Sequence, residues 1–435
     1  MQTQRPFQII LLSVFGFLAV IGLVLFATFK GFGTSVKPLG AVTIWGTLPE
    51  EVLQVQLSEL RRDHQEYATV SYVEKSISNF DGEVADAIAS GNGPDLLLIS
   101  QEQLAQEENK LSPIPLSTIS ERTFKDSFLP VSEIYLTSAG SYGIPFAIDP
   151  LVMYYNRSIL SASGVAEPPQ TWEAVMGLAP RIVQQTNGQT ITRSLVSFGS
   201  YENGGNSRAI LSLLLLQAGA AITSRDAGGG VYSTLSKQTD GNFGTSGSES
   251  AIRFYTEFSN PAKTVYSWNR SLPDARQAFL SGDLALYFGY ASERNSLKAA
   301  NPNLDFDMSV VPQPSTAATR TTYGRVYAFV IPKTARNATG AYRVASGLTG
   351  KAIAPGVARA LGMAPALRSA LTPSLDDLYE PVFYPEVLVA KVWLSPAPPQ
   401  TDSVFAAMIG NITSGRQQVH EALLSASESI DAALH

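Results

Sequence analysis

The chain has 435 residues, 45% of them hydrophobic and 16% charged, with a formal net charge of −6. That is long enough for two lobes with full cores, and it carries no basic excess suited to nucleic acid. There is no cysteine, which excludes disulfides, thiolate metal sites, a cysteine nucleophile and a lipid attached at cysteine.

The N-terminus carries the strongest single signal. Phe7 to Phe29 holds no charged residue, and its only polar members are Gln8, Ser13 and Thr28. As a helix it would reach about 34 Å, enough to cross a hydrocarbon core of about 30 Å. A cleaved signal has a shorter apolar run and small residues at its cut site. Phe29 follows Thr28 here, although Gly31 and Gly33 offer an alternative cut. The expectation is a cytoplasmic tail over 1–6, an uncleaved anchor over 7–29 and a linker over 30–40. Arg5 before the helix and Lys30 and Lys37 after it barely decide orientation.

A regular alternation follows. Ala41–Trp45 reads as a strand. Thr47-Leu-Pro-Glu50 reads as a capping box with proline in the first turn of a helix, whose buried stripe is Leu53, Leu57 and Leu60. Thr69–Val73 reads as a strand, Asp81–Ala89 as a helix closed by Gly91 and Gly93, and Leu96–Ile99 as a buried parallel strand. This order predicts right-handed crossovers and a parallel sheet, with ligands beyond the carboxyl ends of its strands. Trp45-Gly46 and Ser100-Gln101 stand at those ends. Further strands are predicted from Phe146 to Asn156, over Leu284–Tyr287, Phe306–Val311 and Val326–Ile331. Gly204–Gly219 reads as an apolar helix and Asp226–Ser248 as an irregular excursion. The last helix is amphipathic, with Val419, Leu423, Ala426 and Ile430 on one face.

Several motifs in this order carry a resemblance. They are Gly91-Asn-Gly-Pro-Asp95 before an apolar strand, Tyr142-Gly-Ile-Pro-Phe146 with Asp149 and Tyr155-Asn156, and Pro168-Pro-Gln-Thr-Trp172. Ala278-Phe279 with Ser281-Gly-Asp283, Ala328-Phe-Val-Ile-Pro332 and Ser414-Gly-Arg-Gln-Gln418 with Glu421-Ala-Leu423 complete the series. Over about residues 41–434 the chain resembles the extracellular solute-binding proteins of family 1, the maltose-binding-protein-like group. Leucine at 286 departs from the methionine usual there. The resemblance implies a two-lobed α/β fold of the periplasmic-binding-protein type II class. Lobe 1 would comprise 41–148 and 322–367, and lobe 2 149–314 and 372–435, with hinge crossings near 147–150, 313–321 and 366–374. It implies closure over a ligand, recognition by the membrane subunits of an ABC importer, and a body outside the cell membrane. It also implies a monomer that needs no cofactor and catalyses nothing.

Sugar sites combine ring faces for C–H surfaces with polar groups for hydroxyls. Trp45, at a strand end, faces either the cleft or the core. Asp149, acidic within an apolar crossing, either meets ligand or holds the hinge. Tyr290 follows Gly289 where relatives often have tryptophan, and Trp268 falls in the second lobe. Arg325 either pairs with a ligand carboxylate or with an acidic neighbour. Ser100, Gln101 and Phe405 complete the candidates, while Trp172 and Trp393 read as packing residues. His64, His420 and His435 are scattered, so no zinc cluster is expected, and no acidic loop has calcium spacing. A sugar or oligosaccharide is the expected ligand, with a polyol, glycerol phosphate or peptide as alternatives. A sensor ectodomain is a further reading. A surface glycosidase would need two carboxylates about 5–10 Å apart, and the sequence marks no such pair.

Overall fold

Val42–Gly46 (β1) forms because alternate residues Val42 and Ile44 are buried while Thr43 and Trp45 are half-buried. The computed structural model describes residues 14–15, 39–186, 190–236 and 246–434. The expected anchor over 7–29 lies outside the described residues except for Val14 and Phe15, as do the expected tail and most of the linker. Among the described residues, no helix is long and apolar enough to cross a membrane.

Glu50–Asp63 (α1) follows β1 and buries Leu53, Leu57 and Leu60. Its start differs from the expected capping box. Pro49 is the N-cap, and the Glu50 N–H donates to Glu74 Oε2 at 2.7 Å. A carboxylate from the next strand thus takes the role foreseen for Thr47. Val70–Glu74 (β2), Phe80–Ala89 (α2) and Leu96–Ser100 (β3) complete the predicted alternation. β1 pairs in parallel with both β2 and β3. Asp95 locks the turn into β3, accepting from Thr43 N at 3.1 Å and Asn337 N at 3.0 Å.

Gln101–Glu107 (α3) starts directly from β3. Ile144–Asn156 (β4) is then one strand of 13 residues, about 43 Å long at the usual strand rise. Beyond it come Trp172–Ile182 (α4) and Ser207–Gln217 (α5). Thr171 caps α4 as expected, accepting from Ala174 N at 3.2 Å. The predicted irregular excursion contains one strand of a short hairpin, Val231–Ser233, which pairs with Thr223–Arg225 just before it, while 237–245 lies outside the described residues. Leu286–Tyr290 (β5), Glu293–Ala300 (α6), Phe306–Ser309 (β6) and Thr322–Pro332 (β7) follow, and Pro398–Thr413 (α7) and Val419–Leu434 (α8) end the chain.

The main sheet has the order β5-β4-β7-β3-β1-β2. The first half of β4 pairs antiparallel with β7, Ile148 opposite Val326. Its second half pairs antiparallel with β5 and β6. One strand therefore links β7 to β5 and β6 within this two-lobed α/β fold. Side chains alternate along it: Leu151 and Met153 join one hydrophobic cluster, Val152 and Tyr154 the other. Gly143 is required where β4 begins, because a Cβ there would lie 2.9 Å from Ala328 Cβ.

Candidate functional site

The carboxyl end of β3 leads straight into the site. Ser100 and Gln103 form a capping box, with Ser100 N donating to Gln103 Oε1 at 3.3 Å. That start aims Gln101 and Glu102 inward. Gln101 binds β7: its Oε1 accepts from Val326 N at 2.7 Å, and its Nε2 donates to Gly324 O at 3.4 Å.

Glu102 is 2% exposed and has donors on several sides. It accepts from Arg208 Nη2 at 3.2 Å, Arg325 Nε at 3.1 Å and the Tyr323 hydroxyl at 2.8 Å. Burial alone would raise its pKa; the two guanidiniums and the Tyr323 hydroxyl outweigh burial and hold it down at about 2. Arg208 stands in the first turn of α5, whose following residues Ala209–Leu216 are all buried. It also donates to Asp402 Oδ2 at 2.6 Å and Pro398 O at 3.2 Å. Asp402, on α7, accepts from the Tyr201 hydroxyl at 2.5 Å. A second ion pair, Arg225 to Glu108 at 2.6 Å, joins the hairpin to the segment after α3.

Tyr290 ends β5. The Arg325 guanidinium lies 4.0 Å from its ring centroid, a cation–π contact. Its hydroxyl is buried without a hydrogen-bond partner among the described residues. Burial pushes its pKa up, so the hydroxyl stays neutral. Beside these groups is a cavity of about 320 Å³ bordered by Tyr201, Asn206, Arg208, Tyr290, Arg325 and Asp402.

The structure brings Tyr290 and Arg325 together at this cavity, and it places the other predicted site residues elsewhere. Trp268 is fully buried and donates its indole N–H to Asn203 Oδ1 at 3.1 Å. Phe405 is buried against Trp393. Trp45 is half-buried, with Lys75 Nζ 4.1 Å from its ring centroid. Ser100 caps α3, and Gln101 is spent on β7. Asp149 accepts from Ser292 N at 3.0 Å and pairs with its Oγ at 2.7 Å, tying β4 to the start of α6. Burial pushes its carboxyl up to about 7 against those bonds.

Glu102, Arg208, Tyr201, Asn206 and Asp402 were not among the predicted site residues. A signal existed for two of them. Glu102 is the next residue after the marked strand end, and Arg208 is the one charge in an otherwise apolar helix. Nothing in the sequence marks Asp402, which reaches the site only because α7 packs beside α5. Among the described residues, no group of three or more His, Asp and Glu is placed to hold a metal.

The profile of the family described as bacterial extracellular solute-binding protein matches residues 69–353. This chain belongs to that family. A protein described as a binding protein of Brucella abortus (strain 2308) is 23% identical to this solute-binding protein over 264 residues, 59% of this chain and 58% of the relative. The chain thus spans somewhat over half of that relative. Among solved structures, the fold is similar to the cyclic alpha-maltosyl-1,6-maltose binding protein from Arthrobacter globiformis. The TM-score is 0.72 at 16% identity, with 92% of this chain and 99% of that one covered. It is also similar to a cyclo/maltodextrin-binding protein complexed with maltotetraose, with a TM-score of 0.71 at 15% identity and coverage of 92% and 98%. The GacH receptor of Streptomyces glaucescens, solved unliganded and with acarbose, superposes with a TM-score of 0.69 at 17% identity and coverage of 91% and 98%.

Proposed function

We propose that this solute-binding protein is the substrate-binding component of an ABC importer and takes a sugar or oligosaccharide between its lobes. The observation that carries this reading is the polar cavity where Tyr290, Arg325, Arg208 and Asp402 converge at strand and helix ends. Such a set, with donors and acceptors interleaved, suits a polyhydroxylated ligand, whose every hydroxyl both gives and accepts a hydrogen bond. The carbohydrates named with the solved neighbours agree with it.

Binding is noncovalent and turns nothing over, and closure runs about passages near 147–150, 313–321 and 366–374. Residues 7–29 anchor the protein as a single span, with the body on the extracellular side near the importer's membrane subunits. The apolar length of that segment supports this, and so does a chain without cysteine for a lipid.

A thermal-shift screen of the full chain in mild detergent, against sugars, polyols, amino acids and phosphate esters, tests the ligand class. A sugar that binds the folded state raises the melting temperature with concentration. A shift confined to amino acids or phosphate esters would sink the carbohydrate reading. N-terminal sequencing of the mature protein tests the anchor, for which retention of residues 1–29 is the expected result.

A further inference from the structure

We infer that the cavity takes a single monosaccharide-sized polyhydroxylated unit, read by hydrogen bonds at Tyr290, Arg325 and Asn206 rather than by stacking on an aromatic ring. This rests on the sugar reading above and narrows it.

Size is the first argument. The cavity of about 320 Å³ corresponds to about ten water volumes, and one hexose has about twelve non-hydrogen atoms. That is the lower end of the usual ligand-pocket range, about 300–1,000 Å³. A buried ion pair stands beside it: Arg208, which borders the cavity, and Glu102 are 11% and 3% exposed at the side chain. A chain of several sugar units extending past Arg208 towards α3 would have to part that pair.

The second argument is the aromatic rings. Stacking on a sugar needs an open ring face. Tyr290 is 2% exposed, and Arg325 covers its face at 4.0 Å. Trp45 carries Lys75 on its ring, and Trp268 and Phe405 are fully buried. Among the described residues, the cavity lining holds two aromatic rings, Tyr201 and Tyr290, and no tryptophan.

The third argument is unspent polar capacity. The Tyr290 hydroxyl has no partner among the described residues although it is buried, a costly state unless another group satisfies it. Asn206 spends its amide nitrogen on Phe288 O and Glu293 Oε1, and none of these bonds uses Oδ1. Arg325 commits Nε to Glu102 while its guanidinium borders the cavity. A donor, an acceptor and a hydroxyl side by side match adjacent sugar hydroxyls. Arg208 and Arg325 balance Asp402 and Glu202 in the lining, which leaves no net charge there and suits a neutral ligand.

Calorimetric titration of the full chain in detergent tests this. The probes are D-glucose, D-mannose, D-galactose and sorbitol, set against maltotriose, maltotetraose and mannotriose. One of the single-unit probes is expected to bind one per chain, at least 100-fold tighter than any trisaccharide. A second arm uses Tyr290→Phe, which keeps the ring under Arg325 and removes only the hydroxyl. It should weaken that probe about tenfold, the worth of one hydrogen bond, without lowering the melting temperature of the ligand-free protein. A trisaccharide or tetrasaccharide that binds as tightly as its monomer overturns the single-unit inference and leaves the sugar reading standing. Unchanged affinity in Tyr290→Phe overturns the hydrogen-bond assignment. No binding of any of these probes, together with a melting-temperature shift confined to amino acids or phosphate esters in the screen above, removes both readings.

Discussion

Glu102 at the start of α3 and Arg208 in the first turn of α5 meet Nη2 to Oε2 at 3.2 Å, with side chains 3% and 11% exposed. They are 106 residues apart in sequence. A buried pair of this kind draws little net stability from its Coulomb attraction, but it is costly to break from one side.

Glu102→Gln keeps the side-chain shape and removes the charge shared by Arg208 and Arg325. It should destabilise the protein by about 3 kcal/mol, read from the urea midpoint. A loss under about 1 kcal/mol would mean that Asp402 alone neutralises Arg208.

The Arg225–Glu108 pair makes a contrast, since both side chains are about one-fifth exposed. A double-mutant cycle should return a coupling of at most about 1 kcal/mol for it. The Glu102–Arg208 cycle should return about 3 kcal/mol, a buried-pair value. Equal couplings would contradict the burial argument.

Two carboxyls bend the pH dependence in opposite directions. Glu102 has a folded pKa of about 2, below its ordinary 4.5, so the stability it contributes is present above pH 4.5. That contribution disappears as pH falls from 4.5 towards 2. Asp149 has a folded pKa pushed up to about 7 from 3.8. Its contribution falls as pH rises through that window and is then constant. Asp149→Asn is close in shape and can keep both bonds to Ser292. Its melting temperature relative to the parent should therefore be higher at pH 8 than at pH 4. A pH-independent difference would show that Asp149 is ionised in the fold throughout.

Trp268→Ala should cost about 3–5 kcal/mol, because it empties a fully buried site and takes the indole donor from Asn203 Oδ1. Ligand affinity of the folded fraction should not change, which titration below the melting transition checks. A large affinity loss there, with little loss of stability, would return Trp268 to the site.

Local order was legible wherever short-range chemistry decides it. The alternation from Val42 to Ser100 follows from apolar periodicity and from the Gly-Pro-Asp turn before Leu96. Thr171 caps its helix because a cap needs only residues three apart. The start of α1 was misread for the opposite reason: its cap is Glu74, supplied by the neighbouring strand. Three of the aromatic candidates lie away from the cavity that Tyr290 borders. A tryptophan's sequence does not say whether its ring faces a cleft, a core or a lysine, and Trp45, Trp268 and Phe405 met the last two.

Family membership, the two-lobed α/β plan and the run of β-α units were all accessible from residues close together in the chain, since periodicity, turns and caps are local effects. The ionic centre was not. Arg325 was a candidate and Glu102 and Arg208 stood out locally, but none of these segments shows the partner its charge will meet. They come together because the tertiary fold packs α3, α5, α7 and β7 against one another, and because a buried charge is stable only where the fold supplies its counter-charge. That pairing lies over a hundred residues away, beyond the reach of any local pattern.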